Sequence, residues 1–306
     1  MLAEKSSVKT KLQRPHINWT RLAATGLLYV LIAVWTAANA QCSDTAPHAW
    51  PAAVGAPVAT NAAKAPDVRI LCNSGFVIGY DRERGRAAWV AYRVTPVADY
   101  HHRPRPKFKP DPRVEHAAPR QIYWQPEYDR GHMAPNYAMA QLYGRAAQRA
   151  SFYFSNIEPQ SPRLNQLLWQ RLEEIEIDRL APKLDRLWVL VGPIYTAADT
   201  RVPSAFFRIW LGRNSADKWQ AMAFRVPQRV RGDERLDQFL VAIDAIEQAT
   251  GLDFFSNLPQ PSEQQLEAHQ ADADLWGFAA LACMPARYRK HWRNRDGIRL
   301  RFDRCD

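Results

Sequence analysis

Two short apolar runs, Phe76-Val77-Ile78-Gly79-Tyr80 and Ala88-Trp89-Val90-Ala91-Tyr92-Arg93, bracket the charged turn Arg82-Glu83-Arg84-Gly85. Runs of this length, rich in aromatic and β-branched residues and joined by a polar turn ending in glycine, read as an antiparallel hairpin. Further short strands are expected at Ser151–Phe154, at Leu187–Val191 and from Trp219 to Phe224. Helical periodicity covers about Met139 to Arg149, Arg163 to Leu180 and Leu236 to Thr250, the last closed by Gly251. The order of these elements lacks the regular strand–helix alternation of a parallel sheet. The expected fold is therefore α+β, a central antiparallel sheet flanked by helices.

The N-terminus reads as targeting rather than fold. Lys5, Lys9, Lys11, Arg14 and Arg21 precede an apolar run from Leu22 to about Thr36, and Ala38-Asn39-Ala40 offers a small-x-small site before Gln41. Residues 1–40 are read as a signal peptide, with an uncleaved membrane anchor as the alternative, and residues 41–66, rich in Ala and Pro, as a linker. Residues 67–306 form the single expected domain. A periplasmic or secreted protein, with no stable membrane partner once the signal is removed, is the expectation. All four cysteines, Cys42, Cys72, Cys283 and Cys305, follow the cleavage site, as an oxidising compartment allows. Three connectivities can be drawn. The sequence-local pairs Cys42 with Cys72 and Cys283 with Cys305 are favoured.

Of 306 residues, 47% are hydrophobic, 24% are charged and 11 are tryptophan, which excludes a disordered chain and supplies ample core. The net charge is +10. Residues 1–40 hold five basic residues and one acidic, a net +4, so their removal leaves +6. Such a surface attracts polyanions; nucleic acid and an anionic membrane both qualify.

The chemistry concentrates in Tyr128-Asp129-Arg130-Gly131-His132-Met133-Ala134-Pro135. A histidine to deprotonate water, an arginine to meet charge on phosphate oxygens, and a glycine to let the backbone bend are the materials of phosphodiester hydrolysis. Alone, the tetrapeptide Asp129–His132 reads equally well as a solvated turn. Downstream, Leu164, Leu168, Leu172 and Ile175 form a helical core stripe, and Asn165, Trp169 and Glu173 a neighbouring row at four-residue spacing. An amide oxygen and a carboxylate flanking one groove suit a hard divalent cation such as Mg²⁺. Separately, Asn165 reads as a helix cap, Glu173 as one exposed helix charge among several, and Arg93 as a solvent-facing strand residue.

Together these residues resemble the DNA/RNA non-specific endonucleases, sugar-non-specific nucleases of the ββα-metal type that include endonuclease G. The resemblance runs through Asp129-Arg130-Gly131-His132, Asn156, Pro159-Gln160, Leu164-Asn165-Gln166, Trp169 and Glu173, and extends from about Arg69 to about Leu258. It implies a ββα-metal (His-Me finger) site in which His132 is the general base, mostly neutral near about pH 7.5. It implies that Asn165 is the direct ligand of one Mg²⁺, for which Mn²⁺ substitutes in the test tube, and that Glu173 holds water on the metal. Arg93 and Arg130 match positions that address the scissile phosphate. Asn156 matches a position that orients the cluster, and Asp129 one that fixes the turn or an arginine. The implied substrates are DNA and RNA, cleaved with little sequence preference to leave 5′-phosphate ends. Homodimers occur in the family, and this sequence marks no interface. The alternatives are a catalytically silent nucleic-acid-binding or envelope protein on the same scaffold, and a nuclease specialised as a toxin or for DNA uptake.

Other polar clusters carry less. His101, His102 and His116 lie in a proline-crowded stretch that reads as an extended surface connection, and no cysteine pair has zinc-type spacing. From Ala286 to Arg304, basic residues including Arg287, Arg293 and Arg295 alternate with Tyr288, Trp292 and Phe302. That pattern fits nucleic-acid backbone tracking with base stacking, and equally a basic surface loop.

Overall fold

The computed structural model describes residues 42, 49–60, 65–115, 127–184, 186–196 and 201–287. The proposed signal segment 1–40, Arg293, Arg295 and Cys305 lie outside them. Seven strands form the central sheet: β2 (Val68–Asn73), β3 (Phe76–Asp81), β4 (Arg86–Val94), β7 (Leu187–Ile194), β8 (Ala205–Arg213), β9 (Trp219–Pro227) and β10 (Leu240–Val241). Their spatial order is β10-β9-β8-β7-β4-β3-β2, and every pairing is antiparallel. Two small pairs stand apart, β5 (Asp129–His132) with β6 (Ile157–Gln160), and β1 (Val58–Ala59) with β11 (Leu252–Asp253).

The expected hairpin is β3–β4. Asp81 Oδ1 accepts hydrogen bonds from the backbone N–H groups of Glu83 and Arg84, both at 2.9 Å, and Gly85 completes the turn at φ 68°. Both faces of the middle strands are covered, so they read as continuous apolar runs rather than as an alternation of apolar and polar residues. On one face Tyr92, Val189, Phe206, Trp210 and Phe224 pack against Leu164, Leu168, Leu172 and Ile175. On the other, Trp89, Leu190, Phe207 and Ile209 pack against Ile243, Ile246, Phe254 and Phe255.

Several elements differ from expectation. The helix expected over Met139–Arg149 is two, α1 (Asn136–Leu142) and α2 (Gly144–Ala150), because Gly144 turns the chain at φ 80°. The strand expected at Ser151–Phe154 is a turn leading into a 3₁₀ segment, Phe154–Asn156; apart from a single parallel bridge between Tyr153 and Lys109, it bonds locally and to the Asn156 side chain rather than to a ladder. The long helix expected from Leu236 is a 3₁₀ turn (Leu236–Phe239), strand β10 and then α4 (Ile243–Thr250), closed as expected by Gly251 at φ 72°. A further helix, α5, spans Gln260–Glu267. Part of the stretch read as a linker belongs to the body: Trp50 stacks on Phe255, Val54 is fully buried, and β1 pairs with β11. Cys42 is bonded to Cys72, and Cys283 is also in a disulfide.

The helix that crosses the first face runs without a break through Leu164–Trp169, Gln170–Ile175, Glu176–Leu180 and Ala181–Leu184, together α3. Its first and third segments are π-wound, with i→i+5 hydrogen bonds. In that winding Gln170, not Trp169, lies one turn beyond Asn165. Trp169 is therefore in the core against Phe206, with the Arg208 guanidinium 4.3 Å above its ring.

A buried polar network fixes α3 on the sheet. Glu176, on α3, accepts from Tyr92 Oη (3.0 Å), Arg208 Nη1 (2.6 Å) and Trp210 Nε1 (2.5 Å), donors from β4 and β8. Arg171 donates to four backbone oxygens, those of Met284, Gly232, Glu234 and Ala282, which holds the C-terminal segments to the same helix. Removing one member of a buried pair leaves an uncompensated charge, so Glu176→Gln is expected to lower the unfolding free energy by about 3–5 kcal/mol, measured by urea denaturation.

Candidate active site

Strands β5 and β6 carry the site and are placed by their register, Asp129 opposite Gln160 and His132 opposite Ile157. Gly131 is required by space rather than by bending, since its φ is not positive and a Cβ there would lie 2.0 Å from Gln160 Oε1, a fully buried side chain. Past His132, Asn156 clamps the chain. Its Oδ1 accepts from Ala134 N (2.9 Å), its Nδ2 donates to the Ala134 and Ser151 carbonyls, and its own carbonyl accepts from Met133 N (3.0 Å). Asn156 thus sets where β5 ends and, with it, the position of His132.

His132, Arg130, Asn165 and Glu173 line one cleft of about 440 Å³. The His132 ring lies between Phe108, at 5.4 Å, and the edge-on Phe152, at 4.6 Å. Burial, reinforced by the Arg105 cation, pushes its pKa down to about 3. The imidazole is therefore neutral at physiological pH. Its Nε2 is buried with no hydrogen-bond partner among the described residues, an unsatisfied ring nitrogen inside the site.

Asp129 acts on the helix rather than on an arginine. Its Oδ2 accepts from Asn165 Nδ2 (2.9 Å) and Gln166 Nε2 (2.6 Å). A carboxylate presents only acceptors, so the Asn165 amide must turn its NH₂ toward Asp129, which leaves Oδ1 as an oxygen donor. Asn165 is not the helix cap: Leu164 N donates to Ser161 Oγ at 3.3 Å. Glu173 keeps 22% of its side chain exposed and faces Arg208 Nη2 at 3.6 Å. Burial pushes its carboxyl up to about 8, with Arg208 opposing and Glu176 and Glu174 adding to the rise. A neutral amide oxygen beside a carboxylate that is costly to ionise is a donor set that a hard dication would complete, so these residues fit a bound divalent ion.

Of two further expected residues, one is placed elsewhere and one is at the cleft but already engaged. Arg93 is not among the side chains lining the cleft; its carbonyl accepts from Tyr143 Oη at 2.8 Å and its Nε is buried without a partner. Arg287 reaches the rim but is engaged there: its N–H donates to Glu174, its guanidinium pairs with Asp178, and it lies over the Tyr137 ring. Arg105 and Phe108 were not anticipated. They come from the proline-crowded stretch read as a surface connection, which instead folds over the site, with Asp111 buried and bonded to Arg113 and Ser155. Nothing in their local spacing marked them, because their role depends on contacts with β5.

A two-stranded β-pair laid against a helix, with an imidazole on the strands and oxygen donors on the helix, defines a ββα-metal type of site. The chain belongs to the DNA/RNA non-specific endonuclease family, which it matches over residues 55–261. That is a family of metal-dependent nucleases. It is 28% identical over 218 residues to human "Nuclease EXOG, mitochondrial", which covers 63% of this chain and 58% of that protein. It is 32% identical over 200 residues to the "Nuclease" of Serratia marcescens (60% and 73%), and 29% identical over 213 residues to human "Endonuclease G, mitochondrial" (62% and 70%). The chain thus spans about three fifths of the length of the EXOG relatives it matches. The fold is also similar to that in the EndoG/EndoGI complex, with a TM-score of 0.56 at 26% identity over 64% of this chain and 88% of that one.

The Arg105 cation opposes protonation of His132. Arg105→Ala is therefore expected to move the imidazole titration upward, followed by NMR of the ring protons. Because His132 titrates lower in the folded chain than its ordinary 6.5, the unfolded state binds the extra proton between these values. The native state accordingly loses stability as pH falls from 6.5 toward 3, and His132→Ala is expected to flatten that part of the stability–pH curve.

Proposed function

We propose that this protein is an endonuclease that hydrolyses phosphodiester bonds of both DNA and RNA with little sequence preference, using Mg²⁺ and leaving 5′-phosphate ends. The observation that carries the reading is the convergence on one cleft of a neutral His132, with Nε2 unpartnered, and an Asn165 whose amide is turned by Asp129. The His132 imidazole accepts the proton of the attacking water. The Phe108 and Phe152 rings hold the imidazole in place, and Asn156 holds the backbone that carries it. Arg130 and Arg105 meet the charge on the non-bridging phosphate oxygens. A bound phosphate also offsets the Arg105 field, which makes His132 a stronger base when substrate is present. Asn165 Oδ1 and the Glu173 carboxylate hold the divalent ion. When bound, that ion supplies Lewis-acid stabilisation of charge on the phosphate and the leaving 3′ oxygen. Mn²⁺, with the same preference for oxygen, replaces it in vitro.

Indifference to the sugar and to sequence follows if arginines and a metal grip the phosphate and no group reads base edges or the 2′ hydroxyl. The N-terminal pattern of residues 1–40 supports export to the periplasm or beyond, and the Cys42–Cys72 disulfide is in keeping with an oxidising compartment.

The purified, oxidised protein should nick supercoiled plasmid and degrade single-stranded RNA in Mg²⁺ and do neither in chelator. His132→Ala should lower both rates by about 10²–10⁴-fold. Inactivity of the folded wild-type protein on both substrates would turn the reading to a silent nucleic-acid-binding protein. Asp129→Ala should raise the Mg²⁺ concentration needed for half-maximal rate by about 10–100-fold, because it removes the group that orients Asn165.

A further inference from the structure

The opposite face of the sheet carries a second concentration of acid. Asp244 and Glu247 lie on α4, Asp253 on β11, and Glu263 and Glu267 on α5. The carboxylate oxygens of Asp244, Glu247 and Glu267 lie within 4.8 Å of one another, and so do those of Asp253, Glu263 and Glu267. Glu267 belongs to both sets. It is only 6% exposed, and among the described residues its Oε1, like Asp253 Oδ1, is buried without a hydrogen-bond partner. Local donors occupy a share of the remaining capacity: Phe254 N bonds Glu247 Oε1 at 2.8 Å, and Gln260 Nε2 bonds Glu263 Oε2 at 2.9 Å. Burial, with the four other carboxylates adding to it, pushes the Glu267 carboxyl up to about 9. Among the described residues no donor satisfies its buried Oε1.

We propose that Glu267, common to both sets, is the central ligand of a structural divalent-cation site of the calcium class, completed by the Asp244–Glu247 or the Asp253–Glu263 carboxylates, which ties α5 to α4 and β11. Calcium accepts six to eight oxygens at about 2.3–2.6 Å in irregular geometry, whereas magnesium favours one or two carboxylates and keeps its water. Two overlapping sets of three carboxylates, drawn from two helices and the strand between them, suit the larger ion. The site is separate from the nuclease cleft, since α4 packs on the face of the sheet opposite α3, and it does not depend on the proposed activity.

Thermal unfolding and calorimetric Ca²⁺ titration of the chelator-stripped protein test this. At about 100 times Kd, Ca²⁺ should raise the melting midpoint by roughly 5–10 °C, and Mg²⁺ at equal concentration by less. In chelator at a pH above about 9, where the acid ionises, Glu267→Gln should melt higher than wild type, and at any pH it should lose the Ca²⁺-induced rise. Asp244→Asn, at an exposed position that disturbs no packing, should shift the Ca²⁺ titration to about tenfold higher concentration. Asn165→Ala should keep the rise, which separates this site from the cleft. Wild-type melting that ignores Ca²⁺ would mean that the carboxyls share protons instead of an ion and would overturn the proposal. A rise that survives in Glu267→Gln, or vanishes in Asn165→Ala, would put the ion elsewhere and overturn it equally.

Discussion

A carboxylate with almost no exposure, Glu176, sits between α3 and the sheet, and the geometry of the cleft depends on how it is satisfied. Moving a charge of this kind out of water costs several kcal/mol, which a single partner does not repay. Three donors from two strands converge on it, so the carboxylate is satisfied only when α3 lies in one position along and about its axis. The same Arg208 that bonds Glu176 also faces Glu173 at 3.6 Å and covers Trp169. One guanidinium therefore fixes the register of the helix and the field on the carboxylate that lines the cleft. An apolar contact at this place could contribute as much stability, but it would leave the helix freer to slide or rotate on the sheet. A shift of about 1 Å is enough to spoil catalytic geometry.

From that helix the site is assembled by contacts long in sequence. Asp129 meets Asn165 across 36 residues, which ties the position of β5 to that of α3. Asn156, 22 residues from Ala134, fixes the end of β5 from the other side. The two ties act on different groups. Asp129 sets which atom of the Asn165 amide faces the cleft, and Asn156 sets where the imidazole sits. A helix displaced relative to β5 would break the first and leave the second intact, so the pairing of imidazole and amide oxygen measures the docking of α3 directly.

What the sequence revealed follows the range of the interaction responsible. The β3–β4 hairpin and the Leu164–Ile175 stripe were readable because their period is a local property of burial on one face. Strand β7 was readable as an apolar run, whereas β8 passed unmarked: the basic Arg208 stands in the middle of its sequence, and only the distant Glu176 makes that residue an interior one. The aromatic run Ser151–Phe154 looks like a strand, yet its rings serve the imidazole and Phe108 rather than a sheet, and one bridge to Lys109 with an Asn156 side-chain bond stands in place of a ladder. Within the site, His132, Arg130, Asn165 and Glu173 were found because they share one short sequence pattern and one cleft. Arg105 was not, since its effect on His132 acts through space. The π-winding of α3 also escaped an argument built on 3.6-residue periodicity, which put Trp169 on the groove in place of Gln170.

The two faces of the sheet treat buried acid differently, and the contrast bears on what each face is for. On the α3 face, Glu176 is matched by Arg208 and two neutral donors, so its charge is met within the chain, and Glu173 beside it is partly met and partly open to the cleft. On the α4 face, Glu267 is opposed first by burial and then by four other acids, and among the described residues no basic group offsets them as Arg208 does for Glu176. Local backbone bonds, such as that from Phe254 N to Glu247, satisfy single oxygens but bring no positive charge. Were stability alone at stake, substitution of Glu267 by an amide would remove repulsion at little cost in shape. A cluster of this kind is mechanically sound only when something neutralises it, and protons do so without direction whereas a cation binds the three elements to one point. An ion there would brace α4 and β11, and through β1 the segment that precedes the sheet, from the face away from the chemistry.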